Sequence, residues 1–101
     1  MFFKEALIEL ILEGKKTQTR RVTGRWSLGR QPVQGYGYRV ACYIEVIAKR
    51  RERLGDMTSA DAMAEGGYTV EEFKEVWRRI NGSWDPDQLV WVYDFRLFSG
   101  P

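Results

Sequence analysis

The segment that most constrains the fold is residues 88–98, Gln-Leu-Val-Trp-Val-Tyr-Asp-Phe-Arg-Leu-Phe. Most of its residues are apolar or aromatic, and one face of the extended segment carries Leu89, Trp91, Tyr93 and Phe95. The opposite face is also largely apolar, which indicates a strand that is covered on both sides and central in its sheet. A chain of 101 residues has the length for one modest core around such a strand. The sequence therefore predicts a single domain, residues 1–101.

The first half of the chain predicts one helix, one loop and one strand. Apolar side chains at helical spacing indicate an amphipathic helix over residues 3–13, which Gly14 can end. Residues 23–37 are rich in glycine and have no apolar period, so we expect a long loop there. Alternation over residues 38–50 predicts a strand, with one face made of Tyr38, Val40, Cys42, Ile44 and Val46. Cys42, the only cysteine, is expected to be a small core residue.

The second half predicts two helices before the closing strand. Thr58 or Ser59 can begin a short helix that runs to about Met63. Thr69 and Glu72 have the spacing of a capping box at the start of a longer helix. Its buried stripe is expected to consist of Phe73, Val76, Trp77 and Ile80. The order of elements predicts a small α+β fold with a mainly antiparallel, barrel-like sheet and flanking helices.

Composition excludes several kinds of chemistry. The chain has no histidine and one cysteine, which excludes Ser-His-Asp and Cys-His sites and a zinc site built on those residues. Catalysis would depend on Lys, Glu, Asp, Tyr, Thr or Ser, with no metal and no cofactor expected. No segment approaches the length of a membrane span, and the N-terminus lacks the apolar region of a signal peptide. We therefore expect a cytoplasmic protein without membrane contacts.

Basic residues are concentrated in the first half. Residues 12–22, Leu-Glu-Gly-Lys-Lys-Thr-Gln-Thr-Arg-Arg-Val, contain four cations and two threonines. The lysines suit the C-terminal end of a helix, but this does not account for the threonines and arginines that follow. Three interpretations stay open for this segment: a solvated helix end, a phosphate-binding patch, or part of a catalytic site.

Three motifs together resemble the ASCH domain, the family named for activating-signal-cointegrator homology. Ile-Leu-Glu-Gly-Lys-Lys-Thr-Gln-Thr-Arg-Arg, residues 11–21, is similar to its Gly-(Lys/Arg)-Lys-Thr-x-Thr-x-Arg signature after an amphipathic helix. Residues 64–77, Ala-Glu-Gly-Gly-Tyr-Thr-Val-Glu-Glu-Phe-Lys-Glu-Val-Trp, resemble its Glu-Gly-aromatic segment, which leads into a helix with a tryptophan. Residues 89–97 resemble its closing strand. The resemblance covers most of the chain in the right order, residues 23–37 excepted.

The resemblance implies a PUA-like β-barrel and a role with RNA or nucleosides. Some family members hydrolyse the amide of N4-acetylcytidine with a Lys, a Thr and a Glu, which correspond here to Lys16, Thr19 and Glu65. Lys16 would be the base, with its pKa lowered by burial or neighbouring cations, Thr19 the nucleophile and Glu65 the acid. In a straight strand, positions 16 and 19 would point to opposite faces, so the set requires a turn before Thr19.

Other residues are candidates for holding the ligand. The phosphate or oxyanion contacts would come from the basic segment, and a base would stack on an aromatic ring in a loop. The candidate RNA- or substrate-binding residues are Lys15, Thr17, Arg20, Arg21, Trp26 and Tyr68, with Tyr36 and Trp84 as further stacking candidates. For each of these aromatic residues, packing at the edge of the core is the alternative.

Four functions remain compatible with the sequence. The first is an amidohydrolase acting on an acylated cytidine, and the second is a non-catalytic RNA-binding module. The third is a small ribonuclease that uses the same pocket, and the fourth is a protein-interaction domain that uses the loop at 23–37. Binding of RNA or a small nucleoside is common to the first three, and a monomer is the favoured state.

Overall fold

The computed structural model describes residues 1–99. In this part of the chain, three α-helices and four β-strands follow one another in an α+β arrangement. The elements are α1 (Glu5–Leu12), β1 (Gln18–Arg21), β2 (Gly29–Gln34), β3 (Val40–Arg53), α2 (Ser59–Gly66), α3 (Val70–Asn81) and β4 (Leu89–Leu97).

The four strands form one antiparallel sheet in the order β1-β4-β3-β2. β4 is therefore central, as its apolar faces predict, and Tyr93 pairs with Thr19 of β1 on one side and with Lys49 of β3 on the other. Its buried residues come from both faces: Val90 and Val92 on one, Tyr93 and Phe95 on the other. Leu89, by contrast, is exposed at the start of the strand.

The predicted barrel is not closed. β1 and β2 are the two edges of the sheet, and no backbone pairing joins them in residues 1–99. The N-terminal residues partly fill the gap, because the main-chain N–H of Phe3 donates to the carbonyl of Gln34 in β2. On the other side, Nη2 of Arg21 in β1 donates to the carbonyl of Phe2 over 2.8 Å. The side chain of Arg21 thus connects β1 to the N-terminal residues, where a closed barrel would have backbone hydrogen bonds between strands.

The prediction of a loop over residues 23–37 is wrong for residues 29–34, which form β2. This strand carries no apolar alternation, since Val33 is the only residue in it that is fully buried. Its backbone pairs with β3, a tertiary contact that leaves no local pattern in the sequence. The expected strand over 38–50 lies instead at Val40–Arg53, and its first residues are exposed. The predicted helices at 3–13 and 58–63 correspond to α1 and α2.

Two hydrophobic clusters make up the core. The first packs α1 and the N-terminal residues on the sheet, around Phe3, Ile11, Tyr93 and Phe95. The second packs α2 and α3 against the start of β4, around Leu54, Phe73, Trp77 and Val90. Of the predicted buried stripe of α3, Phe73 and Trp77 are buried, Val76 is half-buried and Ile80 is exposed. Both of the latter residues line the cavity described below.

Candidate functional site

A turn before β1 places Lys16 inside the protein. Gly14 adopts a φ of +75°, the left-handed conformation that commonly ends a helix, and the strand begins only at Gln18. The side chain of Lys16 therefore does not follow the alternation of β1, which removes the geometric objection to the Lys16–Thr19 set. Its ammonium nitrogen Nζ donates to the carbonyl of Gln18 over 2.7 Å and to that of Glu65, and lies 3.3 Å from Glu65 Oε1.

Glu65 reaches the site from the last turn of α2. Thr58 caps this helix in a reciprocal box with Asp61, and the carbonyl of Ala64 accepts the main-chain N–H of Thr17. The second carboxylate oxygen, Oε2, accepts a hydrogen bond from Arg20 Nη1 over 3.1 Å. Glu65 is thus held by a cation on each of its two oxygens.

Arg20 occupies the centre of a buried polar network. Its side chain is fully buried and pairs with Glu52 of β3 over 2.9 Å and with Asp61 of α2 over 3.5 Å, besides Glu65. Gln18, which also bonds to Arg20, donates to Asp61. The network fixes α2, β1 and β3 relative to one another around the carboxylate of Glu65.

Thr19 and Arg21 complete the site from β1. Thr19 is 5% exposed, and its hydroxyl oxygen accepts a hydrogen bond from Arg21 Nε over 3.3 Å. The guanidinium of Arg21 lies 4.7 Å from the centre of the Phe3 ring, and Lys16 Nζ lies 5.6 Å from the same ring. The two cations and the hydroxyl therefore gather around one aromatic side chain.

The environment of Lys16 lowers its pKa below the usual 10.5. The largest cause is burial, which disfavours the charged amine. The carboxylate of Glu65 opposes this shift, while the charges of Arg21 and Arg20 add to it. Burial outweighs the ion pair, so Lys16 loses its proton more readily than a lysine in solvent and can act as a base.

These residues line one cavity of about 360 Å³ between the N-terminal residues, β1, α2 and α3. The polar residues on one side of it, here called the floor, are Lys16, Thr19, Arg20, Arg21 and Glu65. The walls are apolar or aromatic and include Phe3, Leu7, Tyr68, Phe73, Val76 and Trp77. Exposed apolar side chains surround the opening: Phe2 (42%), Val22 (52%) and Ile80 (61%). Because β1 is an edge strand, residues from both of its faces border the cavity.

Three of the predicted binding residues lie away from the cavity. Lys15 is exposed and pairs with Glu13 over 3.1 Å, and Thr17 bonds through its main chain to α2 and β4. The ring of Trp26 packs edge-on against Tyr93 and is covered by Arg21 and Arg25. The structure thus brings together Lys16, Thr19, Arg20, Arg21, Glu65 and Tyr68.

The further stacking candidates are also outside the cavity. Trp84 packs edge-on against Phe73 in the second cluster, and Tyr36 is 71% exposed beside Phe2. Sequence reasoning missed Glu52 and Asp61, the partners of Arg20, and the N-terminal phenylalanines. Glu52 lies in a run of basic residues and Asp61 in a capping box, so no local signal links either to Arg20.

Within residues 1–99, no group of three His, Cys, Asp or Glu side chains has an arrangement suited to a metal ion. None of the helices there has the length and apolar character that crossing a membrane requires.

The helix–turn–strand at the N-terminus, the antiparallel sheet and the order of the elements define an ASCH-like fold. The structure is similar to that of an ASCH domain from Lactobacillus crispatus JV V101, with a TM-score of 0.75 and 19% identity over 88% of this chain and 68% of that one. It is also similar to protein EF3133 from Enterococcus faecalis V583, of the family model DUF984, with a TM-score of 0.70 and 17% identity over 91% and 66% of the two chains.

A third similar structure is that of hypothetical protein PH0355, with a TM-score of 0.68 and 19% identity over 97% of this chain and 100% of that one. In sequence, no family model and no curated protein matches the chain. At these identities the similarity is one of fold, and it confirms the ASCH resemblance at that level. The chain spans 68% and 66% of the first two structures.

Proposed function

We propose that this protein binds an acylated cytidine in the cavity and hydrolyses its exocyclic amide, with N4-acetylcytidine as the simplest substrate. The observation that carries the proposal is a buried lysine of lowered pKa beside Glu65, in the same cavity as the Thr19 hydroxyl. A hydrolase without histidine needs such a base. The motif resemblance to amidohydrolases of the ASCH family supports the same residues.

In the proposed reaction, a proton first passes from Lys16 to Glu65 across their 3.3 Å contact. The neutral amine of Lys16 then removes the proton of the Thr19 hydroxyl as its oxygen attacks the amide carbon. When the carbon–nitrogen bond breaks, Glu65 gives its proton to the departing amino group of cytidine. Lys16 is again an ammonium and Glu65 a carboxylate, so the pair returns to its starting state with an acyl ester on Thr19.

Water completes the cycle by the same route. Lys16 loses its proton to Glu65 once more and then accepts a proton from water, whose oxygen attacks the ester carbon. Glu65 returns a proton to the Thr19 oxygen as the ester bond breaks, which releases the carboxylic acid. In both halves of the cycle, the proton passes between Lys16 and Glu65 across the contact that joins them.

The shape of the cavity also supports a nucleobase ligand. A volume of about 360 Å³ lies within the range of small-molecule sites. Its apolar walls suit the faces of a flat heterocycle, and its polar groups lie together on the floor, where the amide would react. Lys16 and Arg20 each bond to the carboxylate of Glu65, so these three floor residues are held in place before a ligand arrives.

The test is hydrolysis of N4-acetylcytidine, followed by chromatography. We expect turnover by the wild-type protein and its loss, by at least about 10²-fold, in Lys16→Ala, Thr19→Ala and Glu65→Gln. Lys15→Ala and Thr17→Ala are matched controls, because they change neighbouring residues of the same type whose side chains are exposed. These two variants should keep wild-type rates. Absence of turnover by the wild type, or equal effects of both sets, would contradict the proposal.

Binding of RNA without catalysis is the second candidate. Exposed arginines support it, among them Arg25, Arg39 and Arg51. The buried cations of the floor do not serve this function, since Lys16 and Arg20 are engaged by carboxylates inside the protein. The dependence of RNA affinity on salt separates this candidate from the first, because phosphate contacts weaken as the salt concentration rises.

A further inference from the structure

The proposed reaction needs a donor for the oxygen of the tetrahedral intermediate, and most donors of the floor are already engaged. Lys16 Nζ has three acceptors: the carbonyls of Gln18 and Glu65, and the carboxylate of Glu65. Both terminal nitrogens of Arg20 bond to carboxylates. Its Nε has no acceptor, but it is fully buried and presents no surface to a ligand.

Arg21 is also largely engaged. Its Nε donates to Thr19 and its Nη2 to the carbonyl of Phe2, while the guanidinium lies over the rings of Phe3 and Trp26. Only Nη1 is left without an acceptor among the residues that the structure describes. The cationic side chains therefore organise the floor, and the oxyanion has to be held mainly by other groups.

One such group belongs to the main chain of β1. The N–H of Phe95 donates to the carbonyl of Thr17, so Thr17, Thr19 and Arg21 direct their main-chain groups toward β4. The intervening residues direct theirs to the open edge, where the carbonyl of Gln18 indeed accepts from Lys16. By the same alternation, the N–H of Arg20 is directed to this open edge.

The other group is the hydroxyl of Tyr68. The ring lies directly over Gly66, where an added Cβ would be 3.1 Å from the ring carbon that carries the hydroxyl and 3.3 Å from Leu7 Cδ2. Tyr68 and Leu7 are thus neighbours in the cavity wall. Tyr68 also follows Glu65 closely in the sequence. The phenol makes no hydrogen bond to any residue from 1 to 99. Burial and, after it, the charge of Glu65 raise its pKa, which keeps the proton on the oxygen.

We propose that the Tyr68 hydroxyl is a catalytic donor that hydrogen-bonds to the amide oxygen as negative charge develops there, together with the main-chain N–H of Arg20. This inference rests on the proposed function. It gives Tyr68 a role beyond that of a stacking surface, since a ring that only stacks would act equally well without its hydroxyl. Donors of this kind act mainly in the transition state, so their loss lowers the rate more than substrate binding.

The test compares Tyr68→Phe with the wild type on N4-acetylcytidine. We expect kcat to fall about 10²-fold with KM changed less than about threefold, because only a transition-state donor is removed. The pH profile of kcat, which reflects the proton shared by the Lys16–Glu65 pair, should keep its shape, because Tyr68 takes no part in that proton transfer. Tyr43→Phe is the matched control, since Tyr43 lies on β3 outside the cavity, and it should leave both constants unchanged.

Each outcome has one meaning. Wild-type turnover with full activity in Tyr68→Phe overturns the inference and leaves the proposed function intact. A rise in KM alone also overturns it, because that result identifies Tyr68 as a binding surface only. Absence of turnover by the wild type overturns the proposed function, and this inference with it.

Discussion

Lys16 is the residue that would provide the base of the proposed reaction in a chain without histidine. The residue is 3% exposed, and its pKa is lowered although a carboxylate lies beside it. The cost of removing the ammonium from water thus exceeds the gain from its ion pair. A group in this position is kept at the expense of stability, which is common at catalytic sites.

We therefore predict that Lys16→Met abolishes turnover without loss of stability. Methionine fills similar space with no charge to bury, and Glu65 keeps its bond to Arg20. The free energy of unfolding at pH 7 should be unchanged or higher, measured by urea denaturation.

The difference in stability between Lys16→Met and the wild type should depend on pH. Between the lowered pKa of folded Lys16 and the usual 10.5 of the unfolded chain, the unfolded state binds more protons, so the wild type gains stability as pH rises. The advantage of Lys16→Met is therefore complete below the folded pKa and disappears toward pH 10.5. A variant that is less stable than the wild type at pH 7 would show that the ion pair outweighs burial.

At the scale of elements, the central strand and the three helices could be predicted because their patterns are local. The apolar faces of β4 and the capping boxes at Thr58 and Thr69 are each complete within a few residues. β2 could not be predicted, since its pairing with β3 carries no apolar period. The motif indicated Lys16, Thr19 and Glu65 as candidate site residues. The bonds of Arg20 to Glu52 and Asp61 could not be predicted, because they join three elements that are separate in the sequence.

The two capping boxes allow the effect of α2 on the site to be separated from its effect on stability, because only α2 carries Glu65. Thr58→Ala and Thr69→Ala remove equivalent side-chain acceptors at the starts of α2 and α3. Each should lower the free energy of unfolding by about 1 kcal/mol in urea denaturation. Only Thr58→Ala should also lower kcat on N4-acetylcytidine, because its partner Asp61 bonds to Arg20 and α2 carries Glu65. Equal rates in the two variants would show that the cap of α2 does not influence the site.

At the scale of the whole molecule, the cavity lies where the two hydrophobic clusters meet. Phe3 and Leu7 belong to the first cluster, and Phe73 and Trp77 to the second. The net charge of +2 also conceals how the charges are arranged at this scale, because several cations pair with carboxylates inside the protein or along its surface. The arginines at 20, 50, 53, 78 and 96 all pair with carboxylates.

This distribution of charge predicts weak and only mildly salt-dependent binding of RNA. Five exposed arginines have no ion pair within residues 1–99, at positions 25, 30, 39, 51 and 79. Even if all five contacted phosphates, the logarithm of the affinity for a single-stranded oligonucleotide should fall with log salt with a slope no steeper than about −3.5, at about 0.7 per contact. This slope would be measured by fluorescence anisotropy at salt concentrations between about 50 and 300 mM. A slope near −6 would instead correspond to about eight phosphate contacts and would favour the RNA-binding module.

The single thiol of the chain has a practical consequence. Cys42 of β3 pairs with Val33 of the edge strand β2. Partial burial raises the pKa of its thiol. A thiol reagent should therefore modify the native protein slowly, and mainly when β2 separates from β3. The rate of labelling then reports how often this edge opens, and it can be measured in the wild-type protein without an engineered probe. Comparing the labelling rate with and without ligand would show whether occupancy of the cavity affects this edge of the sheet, which lies opposite β1.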